Sequence, residues 1–152
     1  MVEIRKATTG DIAMLLPLIA DYWHFENISG FDAGRVRKQL LRLLSEPKLG
    51  SGWIATVEGA AASYLLAVFV FSLEHLGLTA EIDEFFVVPS QRKRGAGAAL
   101  LRIAEAEFER AGCTNVALQL SRSNDPARDF YRRRAYRERS GYELLDKTLD
   151  SP

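Results

Sequence analysis

Sulfur and imidazole are scarce in this chain: its 152 residues include one cysteine, Cys113, and two histidines, His24 and His75. A single thiol excludes an internal disulfide and a thiolate-based zinc site, and two imidazoles leave little for a histidine-rich one, so no metal is expected. Excess charge is also missing, because 20 Lys plus Arg offset 20 Asp plus Glu. A chain built to coat nucleic acid carries a positive surplus, so no nucleic-acid partner is expected. The longest apolar run, Tyr64 to Phe71, is eight residues, far below the ~20 of a membrane-spanning helix. No apolar run follows the start Met1-Val2-Glu3-Ile4-Arg5-Lys6, so neither a signal peptide nor a membrane partner is expected, and the chain reads as cytoplasmic. What is present is ordinary for a soluble globular domain, with 47% apolar and 26% charged residues, and one domain over residues 1–152 is expected.

Periodicity orders the elements. Val2 to Lys6 alternates as a strand, and Thr8-Thr9-Gly10-Asp11 starts a helix carrying Ile12, Leu15, Leu16 and Ile19 at helical spacing. A second helix is predicted over Asp32 to Ser45, with Val36, Leu40, Leu43 and Leu44 on its buried stripe. Strands follow at Trp53–Val57, after which Glu58-Gly59 turns, at Tyr64–Leu73 and at Thr79–Val88. Gly95 to Ala111 is a long helix, with Ala96, Leu100, Ile103, Ala104, Phe108 and Ala111 recurring at three and four residues and Gly112 at the cap position. Val116–Leu120 is a strand, Pro126–Arg134 a short helix, and Tyr136–Leu149 a closing pair of strands around Ser140-Gly141. Strands and helices interleaved in this way make one α/β or α+β domain.

The segment Ile82-Asp83-Glu84-Phe85-Phe86-Val87-Val88-Pro89-Ser90-Gln91-Arg92-Lys93-Arg94-Gly95-Ala96-Gly97 carries the chemistry. A strand enters a basic, glycine-bearing turn, and the turn opens the long helix. The first N–H groups of a helix have no internal partner, and the helix dipole places about half a positive charge there. Gly95 and Gly97 remove side chains that would hold a large anion off those N–H groups, and Arg92, Lys93 and Arg94 add charge. The turn therefore suits a diphosphate, although two glycines near a helix start also serve as a cap and a packing contact. A Walker loop is excluded, since no Gly-Lys-Ser/Thr follows.

Phe86-Val87-Val88-Pro89-x-x-Arg92-x-x-Gly95-x-Gly97 resembles the acetyl-CoA-binding motif of the GNAT-type N-acetyltransferases. Downstream, Asn124-x-x-Ala127-x-x-Phe130-Tyr131-x-x-x-Ala135-Tyr136 is similar to a second segment of that family. The two matches lie in family order, separated by one long helix and one strand. Lys93 and Ala135 stand where the family commonly has glycine, and Ala135 there needs a permissive backbone angle. The resemblance implies a mixed central sheet flanked by about four helices, and an enzyme that moves an acetyl group from acetyl-CoA to a primary amine of a small molecule or peptide.

The resemblance also implies roles. The cofactor-binding positions are Phe86, Val87, Val88, Arg92, Lys93, Arg94, Gly95, Ala96, Gly97, Asn124, Ala127 and Tyr131. Among them, the Val87 N–H serves the oxyanion and the pantetheine arm, and Tyr131 returns a proton to the departing sulfur. In a second reading, Asn124 or Asp125 simply caps the helix that starts at Pro126. A carboxylate on the strand acts as base. Strand alternation puts Asp83 and Glu84 on opposite faces, with Glu84 sharing one with Ile82 and Phe86. Similarity to polyamine acetyltransferases of the family favours Asp83, with Glu84 second. Trp23, Phe25 and Glu26 could hold a cationic acceptor, or simply finish a helix and pack the core. Cys113 lacks a neighbouring base, which favours direct transfer in a ternary complex over a covalent intermediate. The arginine run Arg132, Arg133, Arg134, Arg137 and Arg139 is read as a solvated face. Similar proteins commonly form homodimers, so the resemblance allows one here. The reading from a different class is a CoA-binding sensor module without turnover.

Overall fold

The structure, a computed structural model, describes residues 1–150, so the last two residues of the expected 1–152 domain lie outside the described ones. It resolves into two compact units, Met1–Gln119 and the chain from Leu120 on.

In the first unit, β1 (Val2–Lys6), β2 (Gly50–Val57), β3 (Ala60–Ser72), β4 (Gly77–Val87) and β5 (Val116–Leu118) form one sheet in that spatial order. The first four strands pair antiparallel and β5 joins β4 in parallel. The β2–β3 turn is the expected Glu58-Gly59 pair, both at positive φ (51° and 80°), the geometry that two-residue hairpins prefer. Helices α1 (Ile12–Phe25) and α2 (Ala33–Ser45) cover one face, where Leu15, Ile19, Leu40 and Leu43 meet Ile54, Tyr64, Leu66 and Phe86. Helix α3 (Ala96–Arg110) covers the other, where Phe108 meets Trp53 edge to face. Trp53 and Ile54 are neighbours in β2, so their side chains leave the sheet on opposite sides.

Local chemistry sets the helix ends. The buried Asp11 carboxylate accepts the Thr8 N–H (2.8 Å) and both arms of the Arg5 guanidinium (2.7 Å each). These bonds favour the charged form and hold the Asp11 pKa down to about 2. At the end of α3, Gly112 adopts φ +89° and the Cys113 N–H reaches back to the Phe108 carbonyl (2.9 Å), the left-handed cap its position predicts. Two positions of the expected three-and-four spacing are exposed, Ile103 at 38% and Ala111 at the helix cap; Leu101 is buried.

The second unit holds α4 (Asp125–Arg132). The strands expected over Tyr136–Leu149 do not form: no strand occurs between α4 and residue 150. The chain leaves α4 through a left-handed Ala135 (φ +68°), and the Tyr136 N–H returns to the Tyr131 carbonyl (3.1 Å). Glu138 then accepts Arg128 (3.1 Å) and Arg132 (2.8 Å), tying this segment to α4. Tyr142, Leu144, Leu145 and Leu149 are exposed, without the alternation that gives a strand a buried face. The arginine run is engaged locally: Arg134 stacks on Phe130 (3.8 Å) and Arg139 on Tyr142 (4.4 Å). No described helix is long and apolar enough to cross a membrane.

Candidate active site

Strand β4 runs from a carboxylate pair into the basic turn, and one irregularity governs it. Opposite residues of an antiparallel pair share a face. Leu66 faces Glu84 and Leu65 faces Phe85, yet the next residue of β3, Ala67, faces Ile82. Asp83 is therefore an extra residue, a β-bulge. The bulge corrects the alternation expected from sequence. Glu84 keeps company with Leu66 and Phe86 on the α1–α2 side, whereas Ile82 stays with Ala67 on the α3 side. Asp83 and Glu84, expected on opposite faces, line one cavity of about 590 Å³ under α1 and α2.

Glu84 is the most constrained group in that cavity. The indole Nε1–H of Trp23 donates to its Oε2 (2.8 Å), and the hydroxyl of Tyr64 donates to its Oε1 (2.9 Å). Burial raises the Glu84 pKa, the two donors oppose that rise, and the Asp83 charge adds to it, leaving the group at about 7. Burial also raises Asp83, an exposed residue that lines the same cavity. Tyr64 is fully buried, and desolvation together with the Glu84 charge keeps its phenol protonated. Tyr22, packed edge-on against Tyr64 and Phe86, is held protonated first by burial and then by Glu26, Glu84 and Asp83. Sequence reasoning missed Tyr64. The available signal was a tyrosine in a buried strand, whose hydroxyl needs a partner.

The turn after β4 is built from backbone. A short 3-10 helix, Pro89–Gln91, leads to Lys93 at φ +62° and Gly95 at φ +89°. The first helical bond of α3 is Ala99 N–H to Gly95 carbonyl (3.0 Å), so the N–H groups of Ala96, Gly97 and Ala98 lie ahead of it. A Cβ at Gly95 meets nothing within 4 Å, which leaves the approach to these groups open. A Cβ at Gly97 comes to 2.9 Å from Val87 Cγ2, so this glycine lets α3 seat against β4. Lys93 and Arg94 are exposed and make no ion pair with a described residue. Open donors, flanking cations and a cleared approach fit the diphosphate of coenzyme A.

Other expected site residues lie around these two centres. Arg92 lies over the rings of Phe25 (4.8 Å) and Phe86 (5.5 Å), and its Nε donates to the Val87 carbonyl (2.9 Å). Its guanidinium thus joins the end of α1 to the end of β4. Phe86 is core, and its carbonyl accepts Ser63 Oγ (2.8 Å). The Val88 N–H faces β3, donating to Ala62 (2.9 Å), so the Val87 N–H faces the opposite edge of β4. The β4–β5 ladder ends at Ile82–Leu118, short of that point. Trp23 belongs to the Glu84 cavity; Phe25 is exposed outside it, and Glu26 caps α1 through its N–H to Tyr22 (2.9 Å).

In the second unit Asn124 does cap α4, its Oδ1 accepting the Ala127 N–H (3.2 Å). Tyr131 is half-buried between the rings of Phe130 and Tyr136.

The chain is 28% identical over 144 residues to a Bacillus subtilis (strain 168) protein named as an uncharacterized N-acetyltransferase, YhfO, covering 92% of this chain and 93% of that one. An integron cassette protein from the mobile metagenome of Cole Harbour Salt Marsh superposes with a TM-score of 0.85 at 27% identity, over 98% of this chain and 91% of the other. An aminoglycoside 6'-N-acetyltransferase from Acinetobacter haemolyticus shares the fold (TM-score 0.80, 20% identity, 97% and 99% covered). Residues 15–136 match the sequence profile of the acetyltransferase (GNAT) family. Sheet, helices and that match agree: this chain belongs to the acetyltransferase (GNAT) family.

Proposed function

We propose that the chain is an acetyl-CoA-dependent N-acetyltransferase acting on a primary amine by direct transfer in a ternary complex, with Glu84 as the base. The observation that carries this reading is the Glu84 carboxyl, hydrogen-bonded at both oxygens in a cavity and raised to about 7. A base is most effective when its pKa lies near the working pH. An amine with an ordinary pKa near ~10.4 arrives as ammonium and must lose a proton before its nitrogen can attack. In this reading Asp83 attracts the ammonium and Glu84 takes the proton.

Acetyl-CoA supplies the activated acetyl carbon. The amine nitrogen bonds to that carbon, the carbon–sulfur bond breaks, and the thiolate takes up a proton. The Val87 N–H, on the edge of β4 away from β3, serves the developing oxyanion. Tyr131 keeps the role its motif implies, as the acid for the sulfur. Cys113, raised by burial, is a poor nucleophile, which supports direct transfer. The family match spans both compact units, which supports treating them as one functional domain.

Free-thiol release from acetyl-CoA over a panel of primary amines tests the proposal. Release should rise with pH through about 7 and require Glu84. A thermal shift with acetyl-CoA but no release on any amine would defeat it.

A further inference from the structure

Resting on that reading, we propose that the acceptor is a small monoamine with an apolar body and an anionic group at the end remote from the amine. The cavity has walls of opposite sign. On the β4 side stand Asp83 and Glu84; on the α2 side stand Arg35 and Lys38. Ile19, Leu40, Leu43 and Leu66 add an apolar lining to the same cavity.

Helix α2 is one-signed: Ala33–Ser45 contains four cations, Arg35, Arg37, Lys38 and Arg42, and no acidic residue. Arg42 pairs with Glu46 (3.3 Å), but Arg35 and Lys38 make no ion pair with a described residue. The one carboxylate on that side, Asp32, is held at the helix start, where it accepts the Arg35 N–H (2.9 Å). A molecule that crosses the cavity meets anions at one end and unpaired cations at the other. Such a site attracts an amine that carries its own anion and repels a polyamine, whose further charges would fall beside Arg35 and Lys38.

The experiment compares three acceptors on the full chain at saturating acetyl-CoA: para-carboxyphenethylamine, phenethylamine and spermidine. The first two differ only in the anion. We expect kcat/KM to favour the carboxylated amine over phenethylamine by about fivefold, the scale of one partly exposed charge pair, with spermidine last. In the double variant Arg35→Glu, Lys38→Glu that ratio should fall below one while spermidine gains. The ratio is the readout because partial misfolding lowers both rates alike. Phenethylamine equal to or better than its carboxylated form, spermidine first, or a ratio unmoved in the variant would each overturn the inference. Calorimetric titration of the same amines reads the preference without turnover. Tightest binding of the carboxylated amine, with no acetylation of any, would support the pocket assignment and defeat the transferase reading instead.

Discussion

The cavity and the turn lie along a single strand yet are made by opposite means. Around Glu84 the working groups are side chains from α1, β3 and β4, namely Trp23, Tyr64 and Glu84 itself, with hydrogen-bonded partners up to 61 positions apart in sequence. At the turn they are main-chain N–H groups of consecutive residues, held by the left-handed Lys93 and Gly95 and by a glycine that clears Val87. A side-chain site can be retuned one atom at a time, whereas a main-chain site answers mainly to backbone geometry. Binding of the nucleotide and activation of the amine should therefore be separable by mutation.

Glu84→Gln makes the largest break. It should lower kcat/KM by about 10²–10⁴-fold, the usual worth of a general base, and leave the thermal shift with acetyl-CoA intact. The sign of a stability effect follows from the raised pKa. The fold favours the protonated form, so this contribution is full below the ordinary value of 4.5 and is lost as pH rises through about 7. Melting curves at pH 5 and pH 8 should differ less in Glu84→Gln than in the parent, and equal slopes would contradict this account.

Gly97→Val is the converse. Its Cβ starts 2.9 Å from Val87 Cγ2, so α3 must move off β4 and acetyl-CoA affinity should drop roughly tenfold or more. Calorimetry reads this, and unchanged affinity would show that the seat of α3 is irrelevant to the turn. Smaller are Trp23→Phe and Tyr64→Phe, each removing one donor from the Glu84 carboxylate. The acidic limb of the pH–rate profile should move upward by about 1 pH unit, so that activity lost at pH 7 returns at pH 8.5; an unmoved limb would leave both residues as packing only. Smallest is Lys93→Gly, which relieves a left-handed non-glycine residue and should stabilise the chain by about 1 kcal/mol in denaturant unfolding.

The contrast also explains what sequence could reveal. The turn was legible because its glycines, cations and helix start are contiguous, and β1, α2 and α3 were legible because their apolar periods are regular. Placing Asp83 and Glu84 on opposite faces failed at the bulge, a single unpaired residue that no local pattern announces. Tyr64 and Trp23 were readable as apolar-strand and helix residues, but their shared partner depends on tertiary packing. The strands expected over 136–149 failed because Glu138 is drawn to Arg128 and Arg132, and the leucines beyond lack a two-residue period.

The unpaired Asp83 has one more consequence. A strand with strict alternation would carry the phase of Ile82 forward, sending Glu84 and Phe86 to the α3 side and lifting Phe85 and Val87 toward α1. Phe86 would then press on the spot where Gly97 docks, and the carboxyl would point away from Trp23. By resetting the phase once, a single inserted residue aims the acid at one layer of the protein and leaves the opposite layer flush enough for a helix to settle.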